Sequence, residues 1–316
     1  MVLHSKQQVF EIPQPQINVI EYQIFGCKCP QCGKFTRGAA PHHVTSNVQY
    51  GNMAKAFVVL MNNEYKMPIK KISQLFNILY GIRINESIIV NMLESCYDKL
   101  SQAEDEIKER ILASEVGHVD EIGIRIGNKL NWLHVFSTLL HTYLFAHPKR
   151  GKEAIESEQS IIPNFKNWLI HDCWATYFKA THAQHALCNA HIIRELQSVI
   201  DNDKNGESSW AKRMQDFLIN LHHSEHAERI QNQISINSTY SETCAQGFAA
   251  QPPPIKVRNK RGKVKKSKAC NLLHRLETHK NSMLAFAFNE RVPFTNNLAE
   301  RDLTGNIVWV FTPLNA

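Results

Sequence analysis

The stretch GHVDEIGIRIG, residues 117–127, decides how the fold is read. Val119, Ile122, Ile124 and Ile126 recur as they would along an extended segment with at least one face in a core. Among them stand two adjacent acids, Asp120 and Glu121. A carboxylate on a buried face is costly unless a partner or a metal ion compensates it. The alternative is that the acids point outward into water.

Further strand-like segments follow, LNWLHVFST (130–138) and LLHTYLFAH (139–147). After PKRG comes a helical stretch, KEAIESEQS (152–160), and then the apolar piece NWLIHD (167–172). Three adjacent strands, a crossover helix and a further strand are the opening of a ribonuclease H-like α/β sheet. Asp172 then stands at the carboxyl end of the fourth strand, where open α/β sheets place their chemistry.

The 316 residues are 43% hydrophobic and 21% charged, a globular composition. No apolar run approaches the roughly eighteen residues that span a bilayer, and AFVVLM (56–61) is among the longest. The start, MVLHSKQQVFEIPQPQ, has no apolar core followed by a cleavage site. A cytoplasmic location and no membrane partner are therefore expected. The net charge is +7, yet KVRNKRGKVKKSK (256–268) alone carries eight cations: Lys256, Arg258, Lys260, Arg261, Lys263, Lys265, Lys266 and Lys268. Such a block is either a solvated loop or a contact for a phosphate backbone.

Residues 1–45 are rich in Pro, Gly, Cys and polar residues, with extended pieces QVFEI and INVIEYQI. Within them CKCPQCGK (27–34) has the turn of a zinc-ribbon knuckle. Cys27, Cys29 and Cys32 are three candidate zinc ligands, with His42 or His43 as the fourth or the fourth lying upstream. Residues 46–112 have helical periodicity and the length of a small helix-turn-helix-like, DNA-reading unit, although other helical bundles look the same. Residues 113–316 form the sheet domain. From His182 to Ile236 the pattern is helical and His-rich, and Cys188-x-x-His191 places two soft ligands on one helix turn. Helix resumes at ACNLLHRLETHKNSMLAFAFN (269–289), and a last helix carries NNLAERDL (296–303) with Thr295 or Asn296 as its cap.

HVDEIG (118–123), IHDCW (170–174), HALCNAHIIREL (185–196) and RVPFTNNLAERDL (291–303), with HPKRGKEA (147–154) and VQYG (48–51), resemble the insertion sequence 66 family of bacterial DDE transposases. The resemblance runs from near Gln8 to Asp302. It implies a ribonuclease H-like catalytic domain with a helical insertion at about 180–285, whose basic loop holds DNA. It puts an acidic triad on Asp120, Asp172 and Glu300, sharing two Mg²⁺ ions roughly 4 Å apart. Glu121, Asn297 and Arg301 are then candidates to orient ligands or meet phosphate, and Cys188 and His191 are expected to be structural. The partners implied are the element's terminal repeats and target DNA, a second copy of the chain, and companion proteins of the element. Against the family pattern the chain looks shortened at both ends, and TGNIVWVFTPLNA after Leu303 abandons the helical pattern. The alternative reading is a DNA-binding remnant that no longer cuts.

Overall fold

The computed structural model describes residues 4–202, 210–250 and 266–306. The chain divides between Ser101 and Gln102 into two compact units.

In the first unit, residues 4–25 contain no helix or strand. The extended pieces expected there find no neighbouring strand, and Val9, Phe10, Val19 and Ile20 stay exposed. β1 (Gly26–Lys28) pairs antiparallel with β2 (Phe35–Arg37) around the Cys-Pro-Gln-Cys-Gly turn. Gly33, at φ 71°, closes that turn by donating to the Cys29 carbonyl at 2.9 Å. Helices α1 (Asn52–Asn63), α2 (Ile69–Tyr80) and α3 (Glu86–Lys99) follow. They enclose Val58, Ile72, Phe76, Ile84, Ile89 and Met92, the three- and four-residue stripes visible in the sequence.

The second unit begins with α4 (Ser101–Leu112) and the strands β3 (Val116–Ile126), β4 (Lys129–Ser137) and β5 (Thr142–His147). The third strand starts later than expected, because Leu139 and Leu140 lie exposed in the connecting turn. The crossover helix α5 spans only Lys152–Ile155; a hydrogen bond from Ser157 Oγ to the Ala154 carbonyl marks its end. β6 (Trp168–His171) pairs parallel with β3. One expectation fails outright. Residues 184–187, read as helix, form a further strand, β7 (Gln184–Leu187), parallel to β6. A buried four-residue parallel strand has no alternation to betray it.

The sheet order is β5-β4-β3-β6-β7, with the first three strands antiparallel and the last two parallel to β3. Helices α6 (Asn189–Asp201), α7 (Trp210–His223), α8 (His226–Gln231), α9 (Gln233–Ala250), α10 (Lys268–Thr278), α11 (Lys280–Met283) and α12 (Ala285–Phe288) come next. Their core, including Trp210, Met214, Tyr240 and Leu276, is continuous with Ile170 and Leu187 of the sheet. The last helix, α13, spans Asn297–Asn306, so helix persists past Thr304. The side chains of the sheet separate cleanly. Val119, Phe136, Phe145 and Leu169 pack on one face with Ile111 and Tyr177, while Leu133, Val135, Ile122 and Ile124 meet Ala299 and Leu303 of α13 on the other. No helix among the described residues is long and apolar enough to cross a membrane.

Candidate functional site

Successive residues of a strand face opposite sides, so Asp120 and Glu121 have different surroundings. Asp120 shares parity with Ile122 and Ile124 and faces α13; Glu121 shares parity with Val119 and enters the opposite core. The parallel pairing of β3 and β6 matches Val116 with Trp168, Gly117 with Leu169 and His118 with Ile170. Two further steps in that register bring Asp120 opposite Asp172, just beyond the last residue of β6, on the same face. There β3 runs on paired with β4 alone.

Glu300 reaches this face from α13. Asn296, Ala299, Glu300 and Leu303 form a stripe at helical spacing. Ala299 and Leu303 are buried against β3 and β4, and the neighbouring Glu300 lies near Cys188 and His191 while its charge acts on Asp120. Hydrogen bonds to Asp120 and Asp172 come from backbone N–H groups: Glu121 to Asp120 Oδ1 at 2.8 Å, and Trp174 to Asp172 Oδ1 at 3.0 Å. Burial above all, together with the charges of Asp172 and Glu300, raises the Asp120 carboxyl to about 6, against the pull of the Glu121 N–H and His191. The charges of Asp172 and Glu300 act on Asp120, a half-buried carboxylate setting that suits a hard divalent cation, although among the described residues the oxygens of the three do not all lie within 4.8 Å of one another. The oxygen-only donor set fits magnesium.

Asn296 organises the junction. It is 1% exposed, and its Nδ2 donates to the Val119 carbonyl at 2.9 Å. That orientation leaves Oδ1 to accept from His118 Nδ1–H at 3.0 Å. Its backbone N–H donates to Cys188 Sγ at 3.1 Å, and its carbonyl accepts from Glu300 N–H at 3.3 Å. One residue thus ties the strand before Asp120, the start of α6 and the helix that carries Glu300. The sequence suggested Asn296 as a cap sharing a helix face with Glu300; Asn297 and Arg301 are exposed on α13, where they line an open pocket with Glu300.

Behind the sheet, Glu121 is held by Arg150, with N–O distances of 2.8 and 2.7 Å, and by the Tyr177 hydroxyl. Its side chain is thus engaged behind the sheet, while its backbone N–H is the group that meets Asp120 Oδ1. Burial raises the Glu121 carboxyl to about 7, even though Tyr177 and Arg150 pull it down. Arg150 lies over the Trp132 and Trp174 rings, 4.9 and 4.5 Å from their centroids. Trp174 carries the N–H that holds Asp172, so this network reaches the acidic face through the sheet. Arg150, Tyr177 and Trp174 were not singled out from the sequence; an Arg between strands in the HPKRG segment was the available signal.

Cys188 caps the start of α6 and His191 stands in its first turn. Among the described residues, Cys188, His191 and Glu300 form the one group of three potential ligands whose donor atoms all lie within 4.8 Å of one another. Cys27, Cys29 and Cys32 do not form such a group, although Cys29 is lowered by N–H groups of Cys32 and Gln31 and by the Cys32 side chain. His43 bonds Tyr22 at 3.2 Å. Of the basic block, Lys256, Arg258, Lys260, Arg261, Lys263 and Lys265 lie outside the described residues; Lys266 bonds His274 at 2.7 Å, and Lys268 starts α10.

A family model described as the IS66 family of transposases matches residues 47–308. No curated protein matches the chain.

Proposed function

Because the chain belongs to the IS66 family of transposases, we propose that it cuts and joins DNA through carboxylate-held divalent metal on the face shared by Asp120, Asp172 and Glu300. The single observation that supports this reading is the parallel register of β3 and β6, which continued two steps would set Asp120 beside Asp172, with the charges of Asp172 and Glu300 both acting on Asp120. The strand order, 3-2-1-4-5 when counted within the sheet, supports a ribonuclease H-like catalytic fold with the α7–α12 region inserted before the last helix.

Asp120, Asp172 and Glu300 would hold two magnesium ions. Metal bound by these three carboxylates would supply the charge that activates the attacking oxygen and stabilises the leaving one in an in-line displacement at phosphorus. In the first step water attacks a phosphodiester at the element's end, the bond from phosphorus to the 3′ oxygen breaks, and a 3′-hydroxyl and a 5′-phosphate result. In the second that hydroxyl attacks a target phosphodiester and displaces the target's own 3′ oxygen. The chain's residues fix the geometry: the Glu121 and Trp174 N–H groups orient the two aspartates, and Asn296 anchors the helix bearing Glu300. The basic block 256–268 is proposed to hold the DNA backbone, and the helices α1–α3 to contribute a second DNA contact.

The test is cleavage of a labelled duplex carrying an element end. Magnesium-dependent release of a 3′-hydroxyl by the wild-type chain, lost in both Asp120→Asn and Asp172→Asn, is expected. Cleavage that survives either substitution would remove the acidic face from the chemistry.

A further inference from the structure

We propose that Cys188, His191 and Glu300 form a binding site for a borderline-soft divalent ion of the zinc class, and that an ion held there withdraws Glu300 from Asp120 and Asp172. The donor atoms of the three all lie within 4.8 Å of one another. Cys188 Sγ lies 4.0 Å from Glu300 Oε1, and His191 Nδ1 lies 3.6 Å from the same oxygen. Tetrahedral zinc with ordinary Zn–S, Zn–N and Zn–O bonds separates such ligand atoms by roughly 3.4–3.6 Å. The His191–Glu300 pair is already close to that separation, and the Cys188–Glu300 pair would close by about half an ångström. His191 Nδ1 is a buried atom that no geometrically good hydrogen bond satisfies, and its neighbours are the Cys188 and Glu300 side chains. The sulfur is fixed by the Asn296 N–H, which meets it at 3.1 Å.

The choice of ion follows from the donors. Thiolate and imidazole suit zinc and not magnesium, which takes oxygen ligands. Three protein ligands leave a fourth position for water. The side chains of His191 and Glu300 are 39% and 33% exposed, so an ion can enter from solvent. Glu300 is the shared element. Its Oε1 faces both Cys188 and His191, while its charge acts on Asp120. Zinc and magnesium therefore compete for one carboxylate, and zinc in the soft site depresses DNA cleavage; that consequence, unlike the site itself, rests on the function proposed above.

Cobalt(II) reports the site directly, because a cobalt–thiolate bond gives a near-ultraviolet charge-transfer band. The titration uses the full chain with Cys27, Cys29 and Cys32 replaced by Ser, so that those thiols contribute nothing. One cobalt per chain with that band is expected. Cys188→Ser should abolish the band, and His191→Gln should raise the cobalt midpoint at least about tenfold, since a ligand matters no less than the groups behind it. His191 is half-exposed, so His191→Gln decides the matter if Cys188→Ser fails to fold by circular dichroism. Magnesium should raise the cobalt midpoint, and Asp120→Asn/Asp172→Asn should remove that effect while keeping the band. No band, or a band indifferent to both Cys188→Ser and His191→Gln, overturns the site. A midpoint indifferent to magnesium overturns the sharing of Glu300. An intact band in a chain that never cleaves DNA counts against the proposed function alone.

Discussion

Replacing Asn296 with Ala should loosen the acidic face from a position that touches none of its carboxylates through a side chain. The substitution removes two side-chain hydrogen bonds at a residue 1% exposed, one to the Val119 carbonyl at 2.9 Å and one from His118 Nδ1 at 3.0 Å. Its backbone links to Cys188 and Glu300 remain. Each stranded buried group costs about 1–3 kcal/mol, and partial entry of water into the space left reduces the sum. A loss of about 2–4 kcal/mol is expected, read as a lower urea midpoint at unchanged slope. A cycle with His118→Phe separates the terms, and the two substitutions should couple by about 1 kcal/mol because they share one hydrogen bond. Asn296→Ala should also weaken manganese binding, since α13 loses a tie to β3. A stability change under about 0.5 kcal/mol, the range of an ordinary surface substitution, would refute the role given to Asn296.

Arg150→Met should cost about 2–3 kcal/mol at pH 8, the worth of a hydrogen-bonded charge, and clearly less at pH 5.5. The sign follows from Glu121: burial holds its carboxyl at about 7, so Arg150 faces a carboxylate above that pH and a neutral acid below it. Equal losses at both pH values would contradict this. His134 is buried and held neutral down to about 4, whereas in the unfolded chain it takes a proton near 6.5. Stability is therefore retained above pH 6.5 and falls by about 2–4 kcal/mol as pH drops from 6.5 to 4. His134→Phe, which keeps the stack on Phe145, should flatten that fall in pH-dependent denaturation. Gly117→Ala should destabilise by about 1–3 kcal/mol in thermal melts, because its Cβ would lie 2.2 Å from the Phe136 ring in a filled core.

The segments with strong periodicity were legible in the sequence. The three-helix stripe, the first strands and the apolar piece before Asp172 all lie where alternation or helical spacing placed them. β7 was not, since HAQHALC sits directly before a helix and its four strand residues are held by pairing with β6. The opening question about Asp120 had its answer split by geometry. Asp120 and Glu121 are one residue apart and therefore on opposite faces, so one acid joins Asp172 and Glu300 while the other is neutralised by Arg150 and Tyr177. Neither Arg150 nor Asn296 could be read as a partner, because each contact spans long sequence separation: 29 residues to Glu121 and 177 to Val119. The close approach of Cys188 and His191 to Glu300 is likewise tertiary, joining residues up to 112 positions apart.

Whether Asp120, Asp172 and Glu300 hold divalent metal together is read directly by anomalous diffraction from crystals grown with manganese. Anomalous peaks are expected at ligand distance, roughly 2.0–2.2 Å, from oxygens of Asp120 and Asp172, with at least one also bound by Glu300. Those peaks should vanish in Asp120→Asn/Asp172→Asn crystals. Manganese bound elsewhere, with the three carboxylates left free of metal, would contradict that expectation.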